Sequence, residues 1–104
     1  MKKFSKAKVG GQHLKILYSG NASNSIMTYE PRVQGKYIPE ENTVHVFEHT
    51  NDEQTRNTLL HELLHAVDIF MGTNLNEEQI VAMTNGIFML IEDNKPLMKE
   101  LLKI

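Results

Sequence analysis

Hydrophobic and polar positions follow two different rhythms along this chain, with the change near residue 50. Before it, short apolar runs are broken by turn-forming residues. His13 to Tyr18 reads as a strand ended by Ser19, Gly20 and Asn21, and the stretch from Asn21 to Pro31 is rich in loop formers. Gly35 to Ile38 and Thr43 to Phe47 flank Pro39-Glu40-Glu41-Asn42, which predicts a β-hairpin; Val44 and Val46 alternate with His45 and Phe47, so one face of its second strand is apolar. From Asn51 the period becomes helical. Thr50 or Asn51 can cap a helix over Asp52 to Met71, Asp52 and Glu53 suit its positive end, and Gly72 marks its stop. Leu60, Leu63, Leu64, Val67 and Met71 form a stripe widened by Leu59, Ala66 and Phe70, as expected of a central helix. A second helix, capped by Asn76, presents Ile80, Met83, Thr84, Ile87 and Ile91 on one side and is expected to pack against the first. Asn94 ends it. Pro96 then opens a third, short helix, whose Leu97, Leu101 and Ile104 are expected to cover the core.

These elements predict an α+β fold: a small antiparallel sheet of about three strands packed on a central helix and a second long helix, with a short C-terminal helix. At 104 residues the chain suits one domain spanning 1–104. Hydrophobic residues make up 40% and charged residues 23%, which is ordinary globular usage. A net charge of −2 gives no reason to expect a nucleic-acid partner, and Lys2, Lys3, Lys6 and Lys8 read as a solvated basic start. The basic start is not followed by an apolar segment of signal-peptide type, and the longest apolar run, Ile87 to Ile91, is far too short for a bilayer. A cytoplasmic protein without a membrane partner is the expectation; oligomeric state is not legible. With no cysteine, disulfides, thiolate nucleophiles and sulfur-ligated zinc are excluded. Any metal here takes nitrogen and oxygen ligands.

His61-Glu62-Leu63-Leu64-His65 is an H-E-x-x-H pattern inside a helix expected on independent grounds. Residues four apart lie one turn apart on the same face, so both imidazoles can reach one ion. Zn2+ accepts imidazole nitrogen readily, and a catalytic site needs a third protein ligand plus an open position for water. Glu62, about 100° around the helix from His61, is displaced from the ligand direction and suits a general base acting on that water. The chemistry implied is metal-assisted hydrolysis of an amide.

The third ligand is expected from the first turn of the second helix. Glu77 is three and four residues before Ile80 and Val81 and continues the inward face, whereas Glu78 points away and suits the helix dipole. Glu77 is therefore favoured, with Glu78 and Asp68 as alternatives. Asp68, on the histidine flank, can also orient an imidazole. Tyr18, Tyr29, Tyr37, His45 and His49 are candidate donors to a developing oxyanion.

The run from Thr58 to Ala66, followed by Glu77 to Thr84, resembles the gluzincin metallopeptidases, most of all the ImmA/IrrE-type and short phage-borne members. Over roughly Gly35 to Asn94, the resemblance implies a minimal zincin-like domain in which a hairpin precedes the metal helix. It implies His61, His65 and Glu77 as zinc ligands, Glu62 as base, and a protein or peptide substrate such as a regulatory protein of a phage or mobile element. Leu64 stands where a glycine is often found inside the motif, and Ile80-Val81 where a small-polar pair usually follows the third ligand. An extended substrate is expected to add to the strand Thr43 to Phe47. The competing expectation, from another class, is a catalytically silent zinc-binding or protein-interaction domain of anti-repressor or adaptor type.

Overall fold

The computed structural model describes residues 1–19, 34–47 and 51–104. The expected loop from Asn21 to Pro31, with Tyr29, and also His49 and Thr50, lie outside the described residues. Four strands, β1 (Lys6–Val9), β2 (Gln12–Ser19), β3 (Gly35–Ile38) and β4 (Thr43–Phe47), form one sheet in the order β1-β2-β4-β3. Three helices follow: α1 (Asp52–Met71), α2 (Glu77–Asp93) and α3 (Lys95–Leu102). The α+β class and the three helices agree with the sequence pattern.

The sheet is mixed, not antiparallel. β1 and β2 form a hairpin with Ala7 opposite Leu14, and β3 and β4 form another with Tyr37 opposite Val44. The two hairpins join through parallel pairing of β2 and β4, with Ile16 beside Val44 and Tyr18 beside Val46. Thr43–Phe47 is consequently an interior strand, and the expectation of a free edge there is overturned: both of its sides already carry ladder bonds. Among the described residues the sheet edges are β1 and β3. A 3-10 turn at Pro39–Glu41 connects β3 to β4, ending on Asn42 in the left-handed conformation (φ 49°), which asparagine tolerates. Lys6 and Lys8, expected in a solvated tail, belong to β1.

The chain divides into two compact units, Met1–Asn74 and Leu75–Ile104. In the first, Leu14, Ile16, Val44 and Val46 on one sheet face pack with Ala66 of α1, and Ala7, Val9, Tyr18, Tyr37, Leu59 and Leu63 surround them. The face that α1 buries matches the expected stripe only in part, in Leu59, Leu63 and Ala66. Its buried positions are Thr55, Thr58, Glu62 and Ala66, at intervals of three or four, while Val67 and Met71 are exposed. Helix and sheet approach closely here, so small side chains occupy the seam. Asn51 caps α1 by accepting from the Gln54 amide, and Gly72 ends it at φ 68°.

In the second unit, Asn76 and Gln79 make reciprocal side chain-to-backbone bonds, a capping box that starts α2. Ile80 and Thr84 are buried, and the Thr84 hydroxyl donates to the Ile80 carbonyl. Pro96 sits in the first turn of α3. Leu97, Leu101 and Ile104, expected to cover the core, are exposed, Ile104 by 82%.

Candidate metal centre

α1 sets the geometry. Because its buried face runs through Thr58, Glu62 and Ala66, His61 and His65 fall on one flank, both half-buried. Their Nε2 atoms lie 3.2 Å apart, with ring planes at 71° and centroids 4.9 Å apart. Two nitrogens bound to one tetrahedral Zn2+ at about 2.0–2.1 Å sit roughly 3.3 Å from each other. The imidazole pair therefore has the spacing that a single cation demands. The same spacing serves a hydrogen bond between the rings when one is the donor and the other the acceptor.

One ligand atom each from His61, His65 and Glu77 lies within 4.8 Å of the others, a group able to hold a metal ion. The donor set is two nitrogens and a carboxylate oxygen, which suits Zn2+ among the common cations but does not distinguish it from other first-row metals. Glu78 and Asp68 are not in this group. Glu78 is exposed in the first turn of α2, beside the positive helix end. Asp68 serves the end of α1: its carboxylate accepts from Thr73 Oγ1 at 2.5 Å, and its backbone carbonyl accepts the amides of Gly72 and Thr73.

Glu62 departs most from an ordinary surface carboxylate. It is only 7% exposed, on the sheet-facing side of α1. The backbone of β3 presses against it at Gly35. A methyl group added there would come within 3.1 Å of Glu62 Cγ, 2.7 Å of Thr58 Cγ2 and 2.8 Å of the His45 carbonyl oxygen. Only glycine fits that approach. The Thr58 hydroxyl, one turn before Glu62, donates to Gln34 Oε1 at 3.3 Å, a second tie to the residue preceding β3. Gly35 and Thr58 were not singled out from sequence as parts of the site. The available signal was a glycine opening a strand, which often marks a close backbone approach.

The remaining candidates have other partners. The Tyr18 hydroxyl donates to the Phe4 carbonyl at 3.0 Å, and Tyr37 packs on the core. His45 Nε2 lies 2.6 Å from Ser19 Oγ, its ring 5.0 Å from that of Phe47, and burial lowers its pKa below the usual histidine value. Among the described residues no helix is long and apolar enough to cross a membrane. No family model, curated protein or solved structure matches this chain.

Proposed function

We propose that the protein is a zinc-dependent metallopeptidase of gluzincin type, with His61, His65 and Glu77 as ligands and Glu62 as general base. The observation that supports it most is the pair of Nε2 atoms 3.2 Å apart on the same helix that buries Glu62 against the β3 backbone. A zinc ion held there would supply Lewis acidity and lower the pKa of a water to about 7. Glu62 takes the proton from the attacking water as its oxygen bonds to the scissile carbonyl carbon. Glu62 then hands that proton to the departing amine nitrogen as the C–N bond breaks. Burial keeps the carboxylate in one place, so little reorganisation is needed at the moment of transfer. A protein or peptide is the substrate class, and a regulatory protein of a phage or mobile element is what the resemblance to the ImmA/IrrE-type members implies.

A second reading, a zinc-binding or interaction domain with a silent site, is favoured by one observation: the hydroxyl of Tyr18, a candidate oxyanion donor, already donates to the Phe4 carbonyl. One substitution separates the two. Glu62→Gln should retain one zinc per chain by elemental analysis and lose cleavage of its protein target by at least about 10²-fold. Undiminished biological activity of that variant would establish the silent reading instead.

A further inference from the structure

A net charge of −2 conceals a strong asymmetry. Residues 1–38 carry seven Lys or Arg against one Glu, a balance of +6, and residues 39–104 carry four against twelve acids, a balance of −8. Folding concentrates part of the positive half on one surface. In β1, β2 and β3 the residues that alternate with Lys6, Lys8, Lys15 and Lys36 are Ala7, Val9, Leu14, Ile16 and Tyr37, all of which pack in or against the core under α1. The four lysines therefore share the opposite face of the sheet, and all four are exposed. The pairing register adds His13 opposite Lys8 and His45 opposite Lys36. None of the four strands contains an aspartate or glutamate.

Lys6 stands directly opposite Lys15. Like charges in that relation destabilise a sheet, and nothing in the strands neutralises them. Lys6 and Lys8, two residues apart, are about 7 Å from each other along β1, and the four strands together span about 14 Å. The result is a set of point charges on one face, flanking Thr43 and Phe47 of β4, which are buried on that same side. A protein-binding face of this size would be expected to offer a cluster of aromatic or arginine anchors; this one exposes Leu17 and, just before β1, Phe4, while Phe47 is buried. A membrane-binding face would need a row of apolar side chains to insert, and Phe4 and Leu17 alone supply little. Spread lysines with a single exposed aromatic, Phe4, at their edge suit the phosphodiester backbone of a nucleic acid, recognised by charge and not by base.

We propose that the outer face of the sheet, through Lys6, Lys8, Lys15 and Lys36, binds nucleic acid backbone without sequence preference. This is a separate site from the metal centre and does not rest on its assignment. The test is fluorescence anisotropy of the full chain with a labelled 20-base single strand and a 20-base-pair duplex, across 20 to 200 mM salt. Four neutralised phosphates give a slope of log K against log salt of about −3.6 for duplex and −2.8 for single strand, so duplex affinity falls roughly 10²-fold between 50 and 200 mM. Each single Lys→Gln change at these positions reduces the slope by about 1, and the fourfold Lys→Arg variant keeps it. The relative slopes and affinities of the two probes identify which form the face prefers. Absence of binding at 20 mM salt, a slope indifferent to the four Lys→Gln changes, or tighter binding to phosphatidylserine vesicles or polyglutamate than to both oligonucleotides would overturn the proposal. The single variants keep the test decisive if the fourfold Lys→Gln variant does not fold.

Discussion

At the scale of single residues, the absence of a side chain at Gly35 matters as much as any group that is present. Gly35→Ala puts a methyl within 2.8 Å of a backbone oxygen, which cannot rotate away, and within 3.1 Å of Glu62 Cγ. The expected outcome is a loss of about 1–3 kcal/mol in urea unfolding, with Glu62 displaced and hydrolysis reduced more than zinc content. His45 makes a pH prediction. Burial lowers its pKa, so the unfolded chain binds a proton that the folded chain refuses. Its contribution is intact above the unfolded value near 6.5 and declines as pH falls through that value toward the lowered one. A His45→Gln variant should accordingly show a shallower loss of stability between pH 7 and 5, read from chemical denaturation at each pH.

At the scale of elements, what was readable depended on how local the determinants are. Caps and stops act within four residues, so Asn51, Gly72, Asn76 and Pro96 marked the helices correctly. The turn at 39–42 likewise marked β3 and β4. β1 escaped because Lys6-Ala7-Lys8-Val9 offers weak apolar alternation that acquires meaning only beside Leu14. The parallel seam of β2 and β4 joins residues 28 positions apart, and no local signal carries it. In α1 the apolar residues surround most of the helix, so periodicity had no unique direction, and the close seam put Thr55, Thr58 and Ala66 at the most buried positions with Leu59 and Leu63 beside them. The motif at 61–65 was legible because one helical turn fixes its geometry, whereas the burial of Glu62 required the distant Gly35. Asn76→Ala removes half of the capping box that precedes Glu77. It should cost about 1 kcal/mol and raise hydrogen exchange in the first turn of α2. On the proposed ligand set, apparent zinc affinity should fall by about fivefold.

At the scale of the whole molecule, an ion bound only by the folded state adds to stability by mass action. Free zinc at a hundred times its dissociation constant contributes about 2.7 kcal/mol. Removing it with a chelator should lower Tm by about 10 °C for a chain of this size. The His61→Ala, His65→Ala variant should show no such response, and scanning calorimetry with and without chelator checks both. Charge at this scale is a matter of placement and not of total: the net value follows from counting, while the basic face follows from strand alternation and register.

The strand order has a kinetic corollary. Because β4 lies between β2 and β3, the sheet cannot zip up by successive neighbours along the chain. Two preformed hairpins must meet across a long loop closure, whose entropy is spent before the parallel ladder offers any return. Refolding should therefore be limited by that encounter, and the floor beneath α1 is completed late, after the helix that carries the histidines is able to form.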